Sequence, residues 1–268
     1  MKILRNIKDL KKAINKIKNV GFVPTMGGLH KGHISLINNS ISKSYKTIVS
    51  IYVNPTQFNR TIDFKQYPRN INKDLKILRK LNVNYVFLPN TKELYKKKRV
   101  KKIKLMKKDK ILCAKYRKGH FEGVIDVMDR LLNIIKPTFI FMGEKDFQQI
   151  YLVKKYLLKK HKVTIYSCKT IRNKLQVALS TRNFLLSNKE LFVASYIAKN
   201  LIKFKKSLIK NSKMIRNISE LKNTLLKNFK SKFKIKIEYL EVRNENNLFK
   251  YKKNHKFRIL IAYYINNV

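Results

Sequence analysis

The chain has 268 residues, 44% of them apolar, which is enough for one large or two medium domains with real cores and argues against disorder. Lys and Arg number 63 against 15 Asp and Glu, a formal net charge of +48, but the lysines run from end to end among abundant Asn and Ile. With no basic stripe interleaved with aromatics and no zinc-finger spacing, the charge follows AT-rich codon usage rather than a dedicated nucleic-acid module.

The N-terminus is charged throughout, without an apolar core segment or a small-residue cleavage site, so no signal peptide is expected. No run reaches the length of a membrane span. Cys113 and Cys168 have no motif spacing, which fits a reducing cytoplasm rather than a disulfide framework. The first twenty residues alternate Lys with Ile and Leu at helical spacing and predict an amphipathic helix ahead of the first strand. Phe22 and Val23 read as the end of a buried strand, stopped by Pro24 and Thr25. Gly27 and Gly28 then permit a tight turn, and His30 and His33 follow three residues apart. The apolar residues from Ile34 to Ile37 suit a helix, so both imidazoles fall on its first turn. Free N–H groups and partial positive charge at such a terminus favour phosphate, and two histidines there suit chemistry on phosphates.

Residues 46–53, KTIVSIYV, read as a second buried strand that ends in the turn Asn54 to Phe58. Residues 70–81 predict a helix with Asn70 as a candidate N-cap and Asp74 in its first two turns. A short strand, 85–88, is stopped by Pro89. From Thr91 to Lys118 the pattern is weak and reads as a loop with short regular pieces; its dense basic run, Lys96 to Lys110, reads as a solvated loop or edge face. Gly119 to Gly123 punctuates the chain before a helix over 124–135, which Pro137 follows. Residues 138–142 form a buried strand, Gly143 to Asp146 a turn, 147–160 a helix and 163–166 a strand.

Strands alternating with helices predict an α/β fold with a parallel sheet and helices on both faces. The turns carrying Thr25 to His33, Asn54 to Gln57 and Gly143 to Asp146 all follow strands, so they converge at the carboxyl ends where such sheets bind ligands. Beyond residue 170 the pattern changes. Helices are expected over 187–210 and 214–229, and alternating strands over 235–242 and 257–264, giving a smaller C-terminal α+β domain over 171–268.

Several stretches together resemble the pantothenate synthetases (pantoate–β-alanine ligases), within the wider class of nucleotidyltransferases with an H-x-G-H signature. They are VPTMGGLHKGH (23–33), SIYVNPTQF (50–58), YPRNINKDL (67–75), GHFEGV (119–124), MGEKDFQQ (142–149), LSTRNFLLS (179–187), IEYLEV (237–242) and ILIAYY (259–264). The resemblance implies a Rossmann-like ATP- and pantoate-binding domain over 1–170, a lid-like domain over 171–268, and a cytoplasmic homodimer. It implies a two-step ligation: pantoate attacks the α-phosphate of ATP to give pantoyl adenylate and pyrophosphate, and the amine of β-alanine then displaces AMP.

By the same resemblance His30 and His33 bond the phosphates, with a proton-donor role at His33, and Lys145 supplies positive charge. Ser180 and Arg182 stand for the mobile K-M-S-K-S loop of class I tRNA synthetases, as a hydroxyl and a guanidinium suited to phosphate oxygens. Pro24, Thr25, Met26, Gly27, Gly143, Glu144, Asp146, Leu179 and Thr181 border the nucleotide, and Ile171 meets adenine through its backbone. Gln57 and Gln149 are the implied pantoate ligands, since an amide both donates and accepts. Mg²⁺ is expected with ATP, Asp74 being its candidate ligand, and His120 reads equally as a site residue or a loop packer. Three departures from the family pattern stand out. Lys31 occupies a position where an acid is common, Thr181 replaces a second serine, and Leu175-Gln176 replace an Asp-Gly upstream of Ser180. The same H-x-G-H class also contains nucleotidyltransferases acting on other small substrates, which is the alternative activity.

Overall fold

The apolar runs read as strands do assemble into one sheet. In a computed structural model of the chain, which describes residues 1–96, 103–210, 217–251 and 255–266, six parallel strands lie in the order β1-β4-β3-β2-β5-β6. They are β1 (Lys2–Leu4), β2 (Val20–Thr25), β3 (Lys46–Ile51), β4 (Tyr85–Phe87), β5 (Phe139–Gly143) and β6 (Thr164–Cys168). β1 is an addition to the expected set: three residues are too few for a period to show, and pairing with β4 from Lys2↔Tyr85 to Leu4↔Phe87 is what makes them a strand.

Alternate residues of the central strands enter two cores. Phe22, Ile48, Ile140 and Met142 pack on one face, and Val23, Val49 and Phe141 on the other. Helices cover both faces, which is why these strands read as continuous apolar runs rather than alternating ones. β2 lies between β3 and β5. From β2 the chain builds outward through β3 to β4, then returns to the other side at β5 and β6. The strand order therefore reverses at β2 and β5, which makes their carboxyl ends the sheet's natural ligand crevice.

The helix Ile71–Lys80 begins where expected, with the Asn70 side chain accepting from the Lys73 N–H. The helix His120–Ile135 starts four residues before the expected 124, because Gly119 takes a left-handed φ of +80° and lets His120 open the first turn. Part of the basic run Lys96 to Lys110 falls on residues 97–102, outside the described residues. In the described part Lys96, Lys104, Lys107, Lys108 and Lys110 are exposed, as expected, while the segment is pinned by buried Leu105 and by buried Asp109, which accepts from Lys155 Nζ and from the Tyr156 hydroxyl.

The chain divides into two compact units. The first comprises Met1–Ile171 with Leu179–Thr181, and the second Arg172–Ala178 with Arg182–Val268. The second unit contains the helices Asn188–Lys210 and Ile218–Lys232 and an antiparallel pair, β7 (Ile235–Asn244) and β8 (Phe257–Ile265). Met214 to Arg216, expected to begin the second of these helices, lie outside the described residues.

The segment 172–178 is a tight hairpin. Arg172 bridges Ala178, the Gln176 N–H donates to the Asn173 carbonyl, and the Val177 N–H donates to Asn173 Oδ1. Gln176 has φ +66°, the left-handed position that glycine favours after such a turn. The turn thus survives the loss of glycine by holding a glutamine in a strained backbone conformation. Gln176→Gly is expected to stabilise the protein by about 1 kcal/mol, seen as a higher urea midpoint at unchanged m-value. An unchanged or lower midpoint would show that no strain is held there.

Candidate active site

The turn after β2 is held from three directions. The Thr25 hydroxyl donates to the Ser50 carbonyl at 2.7 Å and accepts from the Gly27 N–H at 3.2 Å. Gly27 and Gly28 take φ of +80° and +60°. Asp74, 2% exposed on the helix Ile71–Lys80, accepts the Gly28 N–H at 2.9 Å through Oδ2 and the Leu29 N–H at 2.8 Å through Oδ1. A carboxylate taking two backbone donors is a strong, charge-assisted brace. Burial pushes its pKa up, and the two backbone bonds act against that rise. Asp74, expected as a metal ligand, is thus engaged in shaping the turn.

The two histidines cap the helix Lys31–Lys43 reciprocally. His30 is its N-cap, and His30 Nδ1 accepts the Gly32 N–H at 3.0 Å. His33 Nδ1 accepts the His30 N–H at 3.3 Å, and the ring centroids are 4.1 Å apart. A backbone N–H only donates, so both Nδ1 atoms are unprotonated and each neutral ring carries its proton on Nε2. Burial, then the charge of Lys145, pushes His30 down to about 4, against the opposing effect of Asp146. Burial, then His30, pushes His33 down to about 3. Both rings are therefore neutral donors at physiological pH. This modifies the expectation of free N–H groups at the helix terminus: those of His30 and Gly32 are taken by imidazole, and the imidazole Nε2–H groups become the donors.

The second contributor is the short 3₁₀ turn Glu144–Asp146 at the end of β5. Lys145 Nζ lies 3.2 Å from Asp146 Oδ1, and both side chains are substantially exposed. Such a pair is worth little in water, so exchanging it for an anionic ligand costs little. Because β2 pairs directly with β5, the GEKD turn follows the strand next to the one that carries the HKGH turn, and the charges of Lys145 and Asp146 act on both imidazoles.

The third contributor is the 3₁₀ turn Pro55–Gln57 after β3. Its organiser is Asn54, 1% exposed. Asn54 Oδ1 accepts from the Thr56 N–H, the Thr56 hydroxyl and the Tyr95 hydroxyl, while Nδ2 donates to Gln57 Oε1 at 3.3 Å and to the Gly123 carbonyl at 3.2 Å. The Gln57 amide also donates to Met26 Sδ at 2.9 Å. His120 Nδ1 lies 2.6 Å from the Gln57 carbonyl. A Cβ on Gly123 would come within 2.4 Å of the Thr56 carbonyl oxygen, so this helical glycine exists to let the turn approach. His120 is thereby a holder of the turn. Asn54, Gly123 and Tyr95 went unassigned in the sequence, where the Asn-Pro pair is the available signal for an Asn-capped turn.

The remaining expected residues divide between the units. Gln149 is half-buried on the first turn of the helix Phe147–Leu157, whereas its neighbour Gln148 is buried and donates to the Ile111 carbonyl. Pro24, Met26, Gly143 and Glu144 are half-buried around the same strand ends, and Lys31 is exposed. The Ile171 carbonyl accepts the Leu179 N–H at 2.9 Å. Ser180 and Thr181 belong to the first unit, and Arg182 to the second. Thr181, expected to border the nucleotide, donates its hydroxyl to the Gly28 carbonyl at 3.1 Å. Among the described residues no group of three or more His, Cys, Asp or Glu is placed to hold a metal ion, and no helix is long and apolar enough to cross a membrane.

A parallel sheet with a histidine-capped helix and an adjacent lysine turn at its switch point defines a nucleotide-handling α/β protein of the H-x-G-H class. Comparison with known proteins carries this further. The family model described as Pantoate-beta-alanine ligase matches residues 2–268. The pantothenate synthetase of Ruthia magnifica is 42% identical over 253 residues, covering 94% of this chain and 88% of the relative. The crystal structure of the Francisella tularensis pantoate-β-alanine ligase, complexed with β-γ ATP and β-alanine, is similar at 34% identity with a TM-score of 0.81, covering 100% of this chain and 95% of that one. The pantothenate synthetase from Thermus thermophilus, at 24% identity, shares the fold with a TM-score of 0.86 over 99% of each chain. This chain belongs to the pantoate–β-alanine ligase family.

The Asn54 network makes a quantitative prediction. Asn54→Ala leaves buried partners unsatisfied on Gly123 and Thr56 and is expected to cost about 2–3 kcal/mol, against less than about 1 kcal/mol for Thr56→Ala. Urea unfolding measures both; equal, small losses would show that Asn54 is not the organiser.

Proposed function

We propose that this chain joins pantoate to β-alanine at the expense of ATP, through a pantoyl adenylate, releasing pyrophosphate and then AMP. The observation that carries the site assignment is the reciprocal histidine cap with Lys145 beside it, at the point where strand order reverses. In this reading the triphosphate meets the Nε2–H groups of His30 and His33, and Lys145 exchanges Asp146 for phosphate. Pro24, Thr25, Met26, Gly27 and the Gly143 to Asp146 turn border the nucleotide, and Ile171 meets adenine through its backbone.

Gln57, fixed by Asn54 and His120, orients pantoate together with Gln149. A pantoate carboxylate oxygen attacks the α-phosphorus and pyrophosphate leaves. The amine of β-alanine then attacks the acyl carbon, the bond to AMP breaks, and the nitrogen gives up its proton. Neutral donors suit the first step, because they stabilise charge developing toward pyrophosphate without a proton having to be lost. Ser180 adds a hydroxyl for phosphate oxygens.

Magnesium enters with the substrate as MgATP. Asp74 does not fit as its ligand, since it is buried and each of its oxygens already accepts a backbone N–H. Two free cysteines suit a reducing cytoplasm, and family likeness supports a homodimer. A transferase acting on a phosphorylated substrate is the weaker reading, because the amides of Gln57 and Gln149 stand where a second phosphate would need cations.

Isotope exchange between pyrophosphate and ATP tests the proposal without β-alanine. Exchange is expected only when pantoate is present. His33→Ala and Lys145→Ala are each expected to lower it by about a hundredfold or more with the fold intact by circular dichroism. Pantoate-independent exchange or none, or full activity in either variant, would contradict the reading.

A further inference from the structure

The segment Leu179–Ser180–Thr181 belongs to the nucleotide-binding unit although the residues on either side of it do not. Its two ends are fastened differently. The Leu179 N–H donates to the Ile171 carbonyl at 2.9 Å. Thr181 is 4% exposed, and its hydroxyl donates to the Gly28 carbonyl at 3.1 Å. Its methyl group lies over the Gly28 α-carbon: a Cβ built on Gly28 would fall 2.3 Å from Thr181 Cγ2. The Gly28 carbonyl cannot swing freely, because its own N–H is held by Asp74 at 2.9 Å and its φ is +60°. Ser180 thus sits between one backbone anchor and one side-chain anchor.

We propose that Thr181 is a positioning residue: its hydroxyl and methyl latch the segment onto the Gly27-Gly28 turn and so set Ser180 for the phosphates. The assignment of Ser180 to phosphate rests on the function proposed above; the latch itself does not. A buried hydroxyl already given to Gly28 is a fastening and not a ligand contact. The line of influence runs from Asp74 through Gly28 to Thr181 and then to Ser180, and neither Asp74 nor Thr181 needs to touch a substrate.

Four variants test this by two readouts: pantoate-dependent exchange, and deuterium uptake by the peptide spanning residues 176–184 without any substrate. Thr181→Val keeps the shape and loses the hydrogen bond. It is expected to lower kcat for exchange about tenfold or more and to speed deuterium uptake. Thr181→Ser keeps the hydrogen bond and is expected to stay within about threefold of the parent in kcat, with slow uptake. Gly28→Ala drives a methyl into Thr181 and is expected to lose about tenfold or more while speeding uptake.

A compensating variant is Gly28→Ala with Thr181→Ser. Removing the Thr181 methyl relieves the closest contact, so about fivefold or more of the lost activity returns and uptake slows again; recovery is partial because the new Cβ still lies 3.3 Å from the Pro68 carbonyl oxygen and alanine still strains at positive φ. Loss of activity in Thr181→Val with unchanged uptake would mean a direct phosphate contact and would overturn the latch. Fast uptake in Thr181→Ser, which keeps the hydrogen bond, would also overturn it. Absence of pantoate-dependent exchange in the parent protein would remove the proposed function, while deuterium uptake would still decide the latch.

Discussion

One carboxylate fixes the geometry on which the site depends. Asp74 reaches from its helix into the turn after β2 and accepts two consecutive backbone N–H groups, from Gly28 and Leu29. That grip sets the left-handed glycines, and the glycines deliver His30 to the N-cap position. The histidines then do what Ser or Thr and Glu do in an ordinary capping box, but with ring nitrogens. The consequence is electronic as well as structural. A capping imidazole must offer a bare Nδ1 to the backbone, so its proton is confined to Nε2. Burial keeps it neutral, and the helix start becomes a pair of aligned donors.

The same arrangement couples the site to pH through stability. His30 and His33 remain neutral in the folded chain down to about 4 and about 3, whereas in the unfolded chain they take up protons below their ordinary value of 6.5. Between those limits the unfolded state binds more protons, so the pair's contribution to stability is full above 6.5 and declines as pH falls toward 3. Of the many positive charges, that of Lys145 acts on both rings and helps to hold them neutral. Among 15 acidic residues, several do specific structural work. Asp74 holds the turn, Asp109 takes Lys155 and Tyr156, and Asp129 takes Lys160 and His161. Lys145 matters by its place at the end of β5.

The sequence makes the sheet legible because its central strands are buried on both faces and bounded by Pro, Gly and Asn. It makes the site legible because parallel topology brings every post-strand turn to one edge, so HKGH, NPTQ and GEKD converge from order alone. What it conceals is which polar residue serves the backbone and which faces a ligand. Asp74 and Thr181 read as ligand contacts, and both side chains bond the backbone of the Gly27-Gly28 turn. Asn54 reads as part of a turn and is the hub of that turn. A side chain's type tells what it can bond, while only tertiary packing tells whether backbone or solvent lies opposite it. Gln176, standing where the family pattern has glycine, takes the left-handed φ itself, and the hairpin forms around it.

The central claim is that backbone capping fixes both site histidines as neutral, Nε2-protonated donors. Nitrogen-15 NMR of the imidazoles in the ligand-free protein between pH 5 and 8 measures this directly. The account predicts two rings, identified by His30→Gln and His33→Gln, with Nδ1 unprotonated, Nε2 protonated and no titration near 6.5 across that range. A site ring carrying its proton on Nδ1, or charging with a midpoint near 6.5, would contradict it.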